Sequence, residues 1–243
     1  MITKAQIQNI KALADKRGRE EQGAFIAEGE KLVAELRASH LVVRKVYTTK
    51  PLWSDAEVIT DKEMERISQL KSSNSTLAVV DIPHHDISAA NPKNNLVIAL
   101  DRVQNPGNLG TIIRLADWFG ITDIVCSADS ADCFNPKVIQ ATMGAIIRVR
   151  VHYTDLAAWL AKQKSQGVAI YGTFLDGDNI YHTKKSSCGV IVMGNEGQGI
   201  SPSCEQSVTH RLYIPPYPAD RAGSESLNVA IATAITCSEF RRE

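Results

Sequence analysis

Three short stretches concentrate the side chains able to do chemistry, and each follows an apolar run. In the first, LVIAL leads into DRVQNPGNLGTIIR, where Asn105, Pro106, Gly107 and Asn108 form a turn and Arg114 lies further along. Such a turn opens a helix whose first backbone amides lack intrahelical acceptors, which suits a phosphate or another anion. In the second, VIVM ends in Gly194 and a loop that sets Glu196 among Asn195, Gly197 and Gly199. Glycines there permit positive φ and close approach of a ligand. In the third, a strand ends at Ile214, Pro215, Pro216 and Pro218 stiffen the exit, Gly223 loosens it, and Ser226, Leu227 and Asn228 open a long apolar helix. Ser226 and Asn108 read as N-caps of the two helices, with hydrogen-bonding capacity also available to a bound group.

Positioning these loops requires a regular scaffold. From Leu96 onward strands and helices alternate: LVIAL, a helix from Leu109 to Phe119, DIVCSA, a helix from Pro136 to Met143, IRVRV, a helix from Thr154 to Gln166, VAIYGTFL, GVIVMGN, a short helix after Ser201, a strand from Leu212 to Ile214, and the final helix. This rhythm predicts an α/β domain with a parallel sheet covered on both faces, whose ligands bind beyond the carboxyl ends of the strands. Val229, Ala230, Ile231, Ala234 and Ile235 leave the final helix almost no polar face, so burial on all sides is expected. On the earlier helix, Arg114 points about 150° from the centre of the Leu109, Ile112, Ile113 and Ala116 face, at about 100° per residue. It shares that side with Thr111 and Trp118, and an aromatic beside an arginine suits a surface covered by a partner chain or RNA.

The N-terminal part has its own rhythm. Thr3 and Gln6 form a capping-box pattern for a helix carrying Ile7, Ile10, Leu13 and Ala14 and closed by Gly18; KRGREEQG reads as a charged loop; Thr60 and Glu63 cap a later helix. These elements make a small α/β unit over residues 1–82. A Pro-, Asn- and His-rich linker over 83–93 follows, and a second domain spans 94–243.

Composition narrows the function classes. With 243 residues, 44% hydrophobic and 22% charged, the chain has the make-up of a globular protein. No apolar run approaches the roughly 18 residues of a membrane span, and the N-terminus lacks the apolar core of a secretory signal, so no membrane association and a cytoplasmic location are expected. Five cysteines without a C-x-x-C pair indicate reduced thiols and no metal cluster, and His84, His85 and Asp86 read as solvated linker residues. Because 27 basic residues balance 27 acidic ones, any nucleic-acid site must be a local patch. The order of glycines around Glu196 is not that of a dinucleotide fold, and no P-loop occurs.

The ordered set N-P-G-N-L-G-T-I-I-R, M-G-N-E-G-Q-G-I and I-P followed by S-L-N-V resembles the SpoU/TrmH family of the SPOUT class of RNA methyltransferases, over residues 94–243. The segment KRGREEQGAFIAEGEKLV resembles the ribosomal-protein-like RNA-binding domain that often precedes it. The resemblance implies S-adenosylmethionine-dependent methylation of a ribose 2′-hydroxyl, a C-terminal trefoil knot and a homodimer. It implies catalytic roles for Asn108, Arg114, Glu196, Ser226 and Asn228. It also implies donor-binding roles for Thr173, Phe174, Gly194, Ile214 and Leu227. Two positions depart from the family pattern: Pro215-Pro216-Tyr217-Pro218 replaces the usual I-P-M exit, and Asn228-Val229-Ala230-Ile231-Ala232 the usual N-V-S-V-A. A structured RNA is the implied substrate, ribosomal in preference to transfer RNA; a non-catalytic RNA-binding member of the same fold is the alternative. A guanidinium is always protonated, so Arg114 is expected to clamp the target phosphate, while that phosphate, Glu196 or water takes the hydroxyl proton.

Overall fold

The computed structural model describes residues 2–70, 72–218 and 226–242, so the freedom expected at Gly223 lies outside the described residues. By packing, the chain divides into two units: Met1–His84 with Asp132–Ile147, and His85–Ala131 with Arg148–Glu243.

In the first unit, α1 (Lys4–Ala12) begins at a complete Thr3/Gln6 capping box. It stops well short of Gly18, and the expected charged loop is instead a helix, α2 (Lys16–Gln22). Two residues explain the correction. A Cβ on Gly18 would meet the Ala12 carbonyl oxygen at 2.0 Å, so only glycine lets α2 fold back against the end of α1. Arg19 is buried, and its guanidinium donates to the Leu13 and Ala14 carbonyls, each at 2.8 Å, and to Asp132. It thereby satisfies acceptors left open at the end of α1.

The unit continues with β1 (Ala24–Glu28), α3 (Glu30–Arg37), β2 (Val43–Thr48), β3 (Glu57–Val58), α4 (Asp61–Ile67) and β4 (Thr76–Asp81). The sheet order is β1-β4-β2-β3, with β4 antiparallel to both neighbours. Thr60 and Glu63 form the capping box of α4. Ile7, Ile10, Ile26, Met64, Ile67 and Leu77 meet in one apolar core. Residues 132–147 pack within this unit. Their helix α6 (Pro136–Thr142) buries Val138 and Ile139 and lies on β1, and the Phe134 ring packs at a tilt against Phe25 with ring centroids 5.0 Å apart.

The second unit holds β5 (Leu96–Leu100), α5 (Pro106–Trp118), β6 (Asp123–Ser127), β7 (Arg150–Thr154), α7 (Leu156–Ser165), β8 (Ile170–Asn179), β9 (Gly189–Met193), α8 (Pro202–Glu205), β10 (His210–Tyr213) and α9 (Val229–Phe240). All five neighbouring pairs in the order β10-β8-β9-β5-β6-β7 run parallel. Strands β5, β6 and β9 are buried along their whole length, as a sheet covered on both faces demands. Val97, Ala99, Val125, Val190 and Val192 point to the face where Leu156, Trp159 and Leu160 of α7 and Cys204 of α8 pack. Alternation sends Leu96, Ile98 and Leu100 to the other face, where α5 and α9 pack together. Because the strands are parallel, the loops after β5, β9 and β10 leave the same edge of the sheet.

The final helix differs from expectation in two respects. Asn228, not Ser226, is its N-cap, and it is not buried on all sides: Ile231 is 53% exposed, and Ala234, Ile235 and Ser238 on the same side are only partly covered or exposed. Among the described residues, no helix is long and apolar enough to cross a membrane, and no cluster of three potential metal ligands occurs. Of the residues singled out in the linker, His85 packs edge-on to His152, and Asp86 caps a short 3-10 turn, Ile87–Ala89.

Candidate active site

Asn105, rather than Asn108, caps α5. Its Oδ1 accepts from the Gly107 amide at 2.8 Å and the Asn108 amide at 3.2 Å, while Pro106 occupies the first helical position, where a missing N–H costs nothing. This arrangement frees the Asn108 side chain. Its Nδ2 donates to Glu196 Oε1 at 3.0 Å, and its Oδ1 accepts from Asn228 Nδ2 at 3.1 Å. Asn228 performs two tasks at once, since its Oδ1 also accepts from the Ala230 amide at 2.9 Å and caps α9. One residue from each of the three loops therefore joins in a single chain of hydrogen bonds.

Glu196 is an anion in this setting. Partial burial pushes its carboxyl up, but hydrogen bonds from the Asn108 side chain and from the backbone amides of Glu196, Asn105 and Gln104 outweigh burial and hold it below the usual carboxylate range. Its Oε1 also lies 3.3 Å from the Asn105 amide. A carboxylate so well supplied with donors is a hydrogen-bond acceptor more than a base.

Beside this chain lies a cavity of about 860 Å³. Thr173, Phe174, Gly194, Ile214 and Leu227 all line it, as do Glu196 and Ser226, whereas Asn108, Asn228 and Arg114 are not in its wall. The Glu196 loop folds tightly on itself through a bridge between Asn195 and Gly199. A Cβ on Gly194 would fall 2.2 Å from the Gly199 carbonyl carbon, which excludes any larger residue. Arg114 is exposed on α5 and makes no hydrogen bond or ion pair among the described residues. Trp118 on the same side is 83% exposed.

The cavity suits a cationic, nucleoside-sized ligand. Its volume falls in the range of about 300 to 1,000 Å³ usual for such sites. The described lining holds two carboxylates, Glu196 and Glu205, and neither Lys nor Arg. Phe174 is braced by Arg211, whose guanidinium sits 3.6 Å from the ring centroid and pairs with Asp176 and Glu205. No thiol is in the described lining of the cavity, and burial pushes Cys237 up to about 12 and also raises Cys204.

Several contributors escaped the sequence reading. Asn105 was legible in principle, because Asn followed by Pro is a cap signal. Arg211 and Gln198 carried no local signal, because their partners Asp176 and Arg102 are distant in the chain.

With this geometry in place, the sequence relationships are informative. The profile of the SpoU rRNA Methylase family matches residues 95–238, and that of the MRM3-like substrate binding domain matches residues 4–81. The chain belongs to the SpoU family. Along its full length it is similar to the 23S rRNA (guanosine(2553)-2′-O)-methyltransferase RlmP of Bacillus subtilis, with 29% identity covering 97% of this chain and 96% of that protein. A TrmH-family structure from Porphyromonas gingivalis has 39% identity and a TM-score of 0.88, covering 100% of this chain and 99% of that one. An AdoMet-bound rRNA methyltransferase from Sinorhizobium meliloti has 28% identity and a TM-score of 0.87, covering 100% and 96%. The SpoU fold is thus built on the parallel sheet of the second unit.

Proposed function

We propose that this chain transfers a methyl group from S-adenosylmethionine to a ribose 2′-hydroxyl in ribosomal RNA. The observation that carries the reading is the hydrogen-bonded chain Asn228–Asn108–Glu196 at the rim of a cavity lined by Thr173, Phe174, Gly194, Ile214 and Leu227. The donor supplies a methyl carbon already activated by its sulfonium. What the protein must add is alignment of the attacking oxygen, which can contribute about 7 to 11 kcal/mol to such a reaction.

In this reading the cavity wall holds the donor, and Asn108, Ser226 and Asn228 orient the ribose through neutral hydrogen bonds. Arg114, exposed and without a partner among the described residues, clamps the phosphate of the target nucleotide with its planar fork. Glu196 orients Asn108. The hydroxyl proton passes to water or to the clamped phosphate, because a hydroxyl that has begun to form its new C–O bond is acidic enough for a weak acceptor.

Residues 1–82 are assigned to RNA capture and 94–243 to catalysis, with the C-terminal chain threaded as a trefoil knot. A homodimer is proposed as well, supported by the apolar side of α9 at Ile231, 53% exposed, by Leu227 just before that helix, 50% exposed, and by Trp118 on α5. A ribosomal RNA substrate is met in the cytoplasm, which is the proposed location.

The test is incorporation of labelled methyl groups into purified rRNA and tRNA. Arg114→Lys should lower turnover about 100-fold and change donor affinity less than about twofold, since only the bidentate clamp is lost. Full activity in that variant overturns the clamp, and labelling of tRNA alone overturns the ribosomal assignment.

A further inference from the structure

Arg102 adopts φ +58°, a left-handed conformation that glycine or asparagine takes readily and other residues rarely. Such a conformation persists where the surrounding contacts hold it in place. Its backbone N–H donates to Ser127 Oγ at 2.8 Å and its carbonyl accepts from Asn195 Nδ2 at 2.8 Å. Its guanidinium donates to Gln198 Oε1 at 2.8 Å and to Asp101 Oδ1 at 3.3 Å, and reaches toward the Gly199 carbonyl at 3.5 Å. The neighbouring Asp101, almost fully buried, accepts from the Ser201 amide at 2.6 Å through its other oxygen. Asn195 in turn accepts from the Gly197 and Gln198 amides at 2.9 and 3.1 Å. The two residues that follow β5 therefore grip the Glu196 loop at its start, its crest and its end.

We propose that Arg102 is a positioning residue: a latch that holds the loop from Gly194 to Ile200 in the shape that binds the methyl donor. This rests on the reading of the cavity as the donor site. The left-handed backbone aims the guanidinium across to Gln198, and the loop it holds forms one wall of the cavity. Arg102 does not itself line that cavity, so its effect reaches the donor only through the loop.

The experiment is calorimetric titration of S-adenosylmethionine into the full chain, with melting temperatures measured in parallel. Arg102→Asn accepts the backbone conformation but is too short to reach Gln198. It should weaken donor binding about fivefold or more, the size of one net hydrogen bond, and leave Tm within about 3 °C of the parent. Arg102→Lys should recover part of the affinity, because it restores a donor within reach of Gln198. Unchanged affinity in Arg102→Asn overturns the latch. So does a loss of affinity accompanied by a fall in Tm of more than about 5 °C that Lys does not restore, because that marks general loosening. Leu227→Arg separates this failure from failure of the underlying reading. It places a cation in the cavity wall and should abolish donor binding; normal binding there overturns the donor-site assignment and the latch together.

Discussion

An asparagine amide has one acceptor end and one donor end, and Asn108 is given no choice between its two orientations. The Asn228 amide donates to one end and the Glu196 carboxylate accepts from the other. Asn108→Asp replaces the donor with a second carboxylate beside Glu196. Like charges at such a distance oppose joint ionisation and raise the protonation range of the pair. Methyl transfer should fall about 100-fold at neutral pH and recover partly as the pH is lowered and one proton is shared. Parallel pH profiles of variant and parent check this, and equal profiles would contradict the role given to Asn108. The candidate polar residues were readable from their loops, but not which asparagine serves as the cap. That depends on Pro106 occupying the first helical turn, which moves capping to Asn105 and releases Asn108 for work across the site.

Among the elements, α9 is coupled to the site by its own cap. Asn228→Asp keeps the oxygen that caps Ala230 and improves its sign at a helix N-terminus, yet removes the amide that holds Asn108. Its melting temperature should match or exceed the parent while turnover drops about tenfold; thermal melts and initial rates, taken together, decide it. The β6–β7 edge makes a separate prediction. Burial alone would push the Asp123 carboxyl up, but Arg150, His152 and Thr122 all bond to it and hold it well below the usual range. A carboxyl depressed in the folded state stabilises fully above its unfolded range, near pH 4, and loses that contribution as the pH falls further. Asp123→Asn should cost about 3 kcal/mol at pH 7 and flatten the dependence of Tm on pH below about pH 4. Strand and helix order was legible from apolar rhythm. The helix α2 was not, because its segment looks too charged until Arg19 finds the Leu13 and Ala14 carbonyls and Asp132.

For the molecule as a whole, the proposed homodimer gives the uncovered side of α9 its purpose. Ile231→Glu should shift sedimentation from dimer to monomer and remove the concentration dependence of the melting temperature, while the monomer stays folded because this side chain is already over half exposed in the single chain. A dimer that persists in this variant would move the interface elsewhere. The parallel sheet and the convergence of three loops at its edge could be read from alternating apolar runs. The membership of residues 132–147 could not, since Val138 and Ile139 look equally at home in either core.

That segment bears on how the chain can be made and divided. The first unit needs residues that follow two strands of the parallel sheet, so it cannot finish folding until Ile147 has left the ribosome. Synthesis order and folding order therefore disagree: the N-terminal core waits, incomplete, for a helix that arrives late. A cut after His84 does not liberate two self-sufficient pieces. It leaves one without the cover that α6 provides over β1, and burdens the other with the unsheltered side chains of Val138 and Ile139.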